Sequence, residues 1–127
     1  MEIAMNRIQK ITLISVFFFL LHTLEEYYFN FIETDASIGW LANVFDVSRL
    51  SAYWTVQILL YAFLLWLLLA RPVNKVWYVI LGIVFVVEVH HLWETLTGGY
   101  APGFWTAIPL VVFGVIYWRE LLRKRIN

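Results

Sequence analysis

The chain contains no cysteine. That excludes disulfides, thiolate metal ligands and a cysteine nucleophile, and it leaves the redox compartment open. Charge is also scarce: 14% of the 127 residues are charged, and the net charge is zero. A soluble domain carries about 25%. Nothing in that balance points to nucleic acid as a partner. What replaces charge is apolar surface. The hydrophobic share is 62% and the mean hydropathy +0.76, more than a soluble chain of this length can hide. Lipid must solvate the rest, so membrane lipid is the first expected partner. The length suits one domain, an integral membrane domain covering residues 1–127.

Four apolar stretches are visible, at about 11–31, 50–70, 76–97 and 104–122. Crossing a bilayer takes about 20 apolar residues as a helix, and only a helix satisfies its own backbone in hydrocarbon. The expected fold class is therefore all-α: a four-transmembrane-helix, up-down bundle. Arg71-Pro72 closes the second stretch and Gly98-Gly99 the third. The first connecting loop is expected to hold an interfacial helix around Ile38 to Phe45. A cleaved signal peptide is the alternative for the first stretch. Its length, its internal polar residues and the lack of a cleavage site argue for a span instead.

Basic residues give the orientation. Arg7 and Lys10, Arg71 and Lys75, and Arg119, Arg123, Lys124 and Arg125 fall on one side; only Arg49 falls on the other. The positive-inside rule then places both termini in the cytoplasm of a multi-pass protein of the cell membrane.

Four of the nine acids, Glu25, Glu26, Glu88 and Glu94, lie inside these spans, with all three histidines, His22, His90 and His91. An ionisable group at bilayer depth costs at least about 2.5–3.5 kcal/mol and needs a partner or a use. His22, Glu25 and Glu26 share a helical face at i, i+3 and i+4. Glu88, His91 and Glu94 share another, and His90 stands four before Glu94. Both sets sit near the outer ends of their spans, so the two can meet. The second span adds Tyr53, Gln57 and Tyr61, either a pocket lining or interhelical packing; the fourth adds Thr106. Tyr53, Gln57 and Thr106 are the expected substrate-pocket residues.

Glu-x-x-His at 88 and 91 is the ligand spacing of di-metal helical bundles. Two or three histidines with carboxylates suit zinc, iron or manganese. The candidate metal ligands are His22, Glu25, Glu26, Glu88, His90, His91 and Glu94. The competing chemistry is metal-free acid–base work by Glu25 and Glu26 with His22 and His91; these four are the candidate catalytic residues. A proton or cation path is less favoured, because the inner halves of the spans are apolar. A buried structural network with no catalysis is the bland alternative.

His22-Thr-Leu-Glu25-Glu26 resembles the motif of the HXXEE family of small bacterial and archaeal membrane proteins. His90-His91, then Tyr100-Ala101-Pro102-Gly103 and Thr106, resemble that family's downstream histidine and Pro-Gly-x-x-Thr segment. The resemblance implies that His22, Glu25, Glu26 and either His90 or His91 form the site, and it gives no substrate. Pro102-Gly103 also fits a tight turn into the last span, and Pro109 a kink within it. The activity expected is hydrolysis or isomerisation of a lipid-like or isoprenoid-like molecule. The alternatives are a binding or structural subunit, which could form a homo-oligomer, or a transport component.

Overall fold

The computed structural model describes residues 5–70 and 73–123. Among them it is helical throughout, without a strand. The helices are α1 (Arg7–Tyr28), α2 (Phe31–Thr34), α3 (Ala36–Phe45), α4 (Arg49–Leu69), α5 (Lys75–Val87), α6 (Val89–Gly98) and α7 (Phe104–Arg123). Arg71 and Pro72, expected to close the second span, lie outside the described residues, as do Lys124 and Arg125 of the basic tail.

Local chemistry sets these boundaries. α1 starts a turn before Ile11 because Asn6 and Gln9 form a reciprocal capping box, at 2.9 and 3.1 Å. It stops before Phe31 because Asn30 turns left-handed, with φ 64°. Ser48 and Asn74 accept hydrogen bonds from the first turns of α4 and α5. The helix expected in the first loop is α3, capped by Asp35. The Arg49 guanidinium donates to the Ile32 and Asp35 carbonyls, at 3.1 and 3.0 Å, and ties α2 and α3 to α4.

The third span departs from a continuous helix. Its hydrogen-bond ladder lapses at Glu88, which joins α5 to α6 while its own backbone stays helical, at φ −62° and ψ −20°. Val86, Val87 and Val89 flank the break, and β-branched residues weaken a helix slightly. In α7, by contrast, the helix runs on through Pro109.

α1 packs along both α4 and α7; α5 and α6 also pack on α7, and α3 packs on α4. The apolar core gathers Phe19, Leu64, Leu67, Leu81, Phe85, Leu110 and Tyr117. Close helix approach depends on two glycines. A Cβ on Gly114 would stand 2.8 Å from the Phe85 Cβ, and one on Gly82 would stand 2.6 Å from the Trp118 ring. Trp118 Nε1 donates to the Gly82 carbonyl at 3.0 Å.

Four helical segments are long and apolar enough to cross a membrane: 7–28, 49–69, 75–98 and 104–123. No more than 44% of the apolar window of any of them is buried within the protein. The rest is outward apolar surface such as Ile58, Leu59, Leu65 and Leu69. Such a surface is compatible with a multi-pass membrane protein.

Candidate metal centre

At one end of the bundle apolar packing gives way to polar side chains. They come from the C-terminal part of α1, the N-terminal parts of α4 and α7, and the α5–α6 junction. His22, Glu26, Glu88 and His91 are all buried there, at 4–8% exposure. Donor atoms of His22, Glu26 and His91 lie within 4.8 Å of one another, and Glu88 faces both histidines. His22 Nε2 is 2.9 Å from Glu88 Oε2 and 3.3 Å from Glu26 Oε1. His91 Nε2 is 3.4 Å from Glu26 Oε1 and 3.9 Å from Glu88 Oε2. The imidazole rings meet edge to face, 4.7 Å apart. The interruption at Glu88 lies at this cluster, as helix irregularities often do at functional sites.

Hydrogen bonding fixes how His22 faces this cluster. The Thr106 hydroxyl donates to Glu25 Oε2 at 2.6 Å. Its single proton is thereby used, so at 2.8 Å it accepts from His22 Nδ1. His22 Nε2 then faces two carboxylates. With a bare lone pair there, the contact would be repulsive. A proton on Nε2, a proton on a facing carboxyl group or a metal ion between them makes it favourable.

A metal ion is one occupant that the spacing admits. Glu88 Oε2 is buried, 2.9 Å from His22 Nε2. Around a zinc ion with bonds of about 2.0–2.1 Å, tetrahedral ligand atoms stand about 3.3–3.4 Å apart. The observed separations of 2.9–3.9 Å bracket that spacing. The donor atoms of His22, Glu26 and His91 lie within 4.8 Å of one another and could hold a metal ion. Two neutral imidazoles and the Glu26 carboxylate, with the Glu88 carboxylate beside them, would offset a divalent charge. The His22–Glu26–His91 group could therefore hold a metal ion such as the sequence suggests.

The remaining candidates divide. Glu25, expected beside Glu26 as a ligand or acid–base partner, faces α7 instead. Its carboxylate accepts from the Tyr100 hydroxyl at 2.7 Å, the Trp105 N–H at 3.2 Å, and the Thr106 N–H at 2.9 Å and hydroxyl at 2.6 Å. It caps the N-terminus of α7 from another helix, where orphan donors and the helix dipole favour an anion. Its reach to the cluster is indirect, through Thr106 and His22. Such outer partners orient a ligating histidine.

Tyr53 and Gln57, expected to line a substrate pocket, are buried and turned onto Glu26. They donate to Glu26 Oε2 at 3.0 and 3.4 Å, which leaves Oε1 for the histidines. Tyr61 reaches the Phe19 carbonyl at 2.9 Å and the Thr23 hydroxyl at 2.6 Å. The tyrosine stripe thus joins α4 to α1. Thr106, the third expected pocket residue, links Glu25 to His22. His90 and Glu94 pair with each other at 2.8 Å and are nearly half exposed. With His91 they form a second group whose donor atoms lie close enough for an ion.

Gly103 carries a constraint that the turn motif alone did not reveal. Its φ is 94°, which favours glycine. A Cβ there would also lie 2.6 Å from His22 Cε1 and 3.1 Å from His91 Nδ1. The backbone of the α6–α7 turn thus closes directly over both imidazoles. Beyond it lies a cavity of about 380 Å³ whose lining includes Phe31, Glu94, Tyr100 and Pro102. Phe31 packs on the His91 ring, at 5.4 Å, and separates it from this space. Tyr100 is half exposed in the same wall. Burial and the bond to Glu25 push its phenol pKa above the ordinary tyrosine value.

No family model, curated protein or solved structure matches the chain.

Proposed function

We propose that this chain is a membrane-embedded metalloenzyme that binds one divalent ion through His22, Glu26 and His91, with Glu88 beside them. One observation carries the proposal: two histidines and a glutamate, all buried, bring their donor atoms within 4.8 Å of one another. Zinc, iron or manganese suits such a set. When bound, the ion supplies Lewis acidity for polarising a substrate oxygen. Tyr53 and Gln57 hold Glu26. Glu25 and Thr106 hold His22 in the tautomer that offers Nε2. Phe31 and Tyr100 separate the cluster from the neighbouring cavity, and their displacement would admit substrate.

The substrate class is lipid-like or isoprenoid-like, and the reaction a hydrolysis or an isomerisation. The outward apolar surface of the spans favours amphiphiles. The topology belongs to the same proposal. The cluster draws on the C-terminal part of α1 and on the start of α4 and α7, which supports up-down alternation. The basic residues then put both termini in the cytoplasm and the site toward the outer face of the cell membrane. Membership of the HXXEE family is also part of it. Of the two histidines that could match the family's, the buried His91 fits that role better than the exposed His90.

A second reading has its own support. Each of the four cluster residues is at most 8% exposed, and Glu25 does structural work as a helix cap. A non-enzymatic subunit whose polar network fixes helix register would be closed in this way.

Metal analysis of the purified full chain separates the two. The metalloenzyme retains about one equivalent of metal, which Glu26→Gln and His91→Ala both lose. A folded wild-type chain that carries none after growth with zinc, iron and manganese leaves the structural subunit standing.

A further inference from the structure

Phe31 and the turn at Gly103 cover the inner cluster, whose residues are at most 8% exposed. The edge of the neighbouring cavity offers a way in. Glu94 lines that cavity. Its carboxylate meets His90 Nε2 at 2.8 Å, and both side chains are more than 40% exposed. The donor atoms of His90, His91 and Glu94 lie within 4.8 Å of one another.

His91 belongs to this outer group and to the inner one alike. Its Nε2 faces Glu26 and Glu88, at 3.4 and 3.9 Å. Its Nδ1 is buried and makes no hydrogen bond. A ligating histidine nearly always spends its second nitrogen on a carbonyl, a carboxylate or water. Here no protein acceptor takes it, and Nδ1 is the nitrogen left for the outer group. The outer pair alone would be an ordinary i,i+4 surface contact, worth little. The unpaired buried nitrogen beside it is what sets this pair apart.

We infer that His90, His91 and Glu94 form a second, solvent-reached divalent-cation site that captures the ion and loads the buried centre through the shared His91. The inference rests on the metal reading of the inner cluster. Two nitrogens and one carboxylate leave coordination positions to water, so the outer site binds more weakly than the inner one. The two sites use different nitrogens of one imidazole, so filling both releases the ring proton of His91 to solvent.

The test uses the full chain in detergent, stripped with chelator and titrated with Co²⁺. Binding is followed by visible absorption, by equilibrium dialysis and, for the rate of filling, by stopped flow. The wild type is expected to take up two equivalents, the second at least about tenfold weaker than the first. His90→Ala and Glu94→Gln, both at exposed positions, should each abolish the weak equivalent. They should also slow filling of the tight one about tenfold or more, yet leave its final occupancy unchanged. Glu26→Gln should remove the tight equivalent and leave the weak one. A single tight equivalent that depends on Glu26 and fills at the wild-type rate in His90→Ala overturns this inference alone. A wild-type chain that binds no Co²⁺ overturns both this inference and the metal reading beneath it.

Discussion

At one end of the bundle Phe19, Phe85, Leu110 and Tyr117 fill the space between the helices. At the other end the same helical spans bring together His22, Glu26, Gln57, Glu88 and His91. Both ends are equally buried, but they are held differently. In the apolar end each contact is small and non-directional, so a lost methyl group leaves the rest in place. In the polar end every group depends on a neighbour. Glu26 needs Tyr53 and Gln57, His22 needs Thr106, and Thr106 needs Glu25. The hydroxyls within the apolar end bond only to backbone. Thr12 and Ser15 donate to the Ile8 and Ile11 carbonyls of their own helix, at 2.9 and 2.8 Å, and Tyr117 donates to the Tyr78 carbonyl at 2.7 Å. Among the described residues no polar chain therefore runs from the cluster through the apolar end, which counts against a transport path.

The sharpest way to break this comparison is at Gly103. Gly103→Val would force a side chain into the His22 and His91 rings and strain a backbone at φ 94°. Strain of about 1–3 kcal/mol adds to overpacking of about 1–3 kcal/mol. Gly98→Val is the control, because nothing lies within 4 Å of a Cβ there. Thermal unfolding in detergent should show a large loss for the first variant and little for the second. Equal losses would mean that the turn does not close over the cluster.

A second pair of variants separates the two ends by what they lose. Leu110→Ala should cost about 2–4 kcal/mol through its cavity and leave the metal content unchanged. Glu26→Gln keeps the shape of the side chain. It should cost less stability, about 1–3 kcal/mol from imperfectly paired neighbours, yet abolish the metal. If Leu110→Ala also empties the site, the ends are not independent, and the cluster is held by global packing rather than by its own bonds.

Much of the apolar end was legible in the sequence, because hydrophobic runs report spans directly. The meeting of His22, Glu26, Glu88 and His91 was legible too, from i,i+4 and i,i+3 spacing. The division between Glu25 and Glu26 was not. Successive helix residues point about 100° apart. A single sequence does not say which of the two meets α4 and which meets α7. The interruption at Glu88 has no glycine or proline to announce it. The Pro102-Gly103 pair signalled a turn, but its contact with two histidines is a tertiary fact. Polarity and spacing alone suggest a pocket lined by Tyr53, Gln57 and Thr106, whereas their hydrogen bonds go to Glu26, Glu25 and His22. Periodicity locates a side chain on a face; it does not choose the partner across it.

The smallest expected effect concerns Tyr100, at the boundary between the polar end and the cavity. Burial, together with its donated bond to Glu25, raises the pKa of its phenol above the ordinary value. The neutral form is thus favoured more in the folded chain than in the unfolded one. The resulting stability is fully present below the unfolded tyrosine value, about pH 10, and declines as pH rises above it. Tyr100→Phe removes the titrating group. Between pH 9 and pH 11.5 the wild type should therefore lose more thermal stability than the variant, by a small margin, since Tyr100 is 46% exposed and water screens its charge. Parallel declines in the two proteins would mean that the Tyr100–Glu25 bond does not persist in solution. The polar end would then stand open to the cavity, and the contrast with the sealed apolar end would sharpen rather than fade.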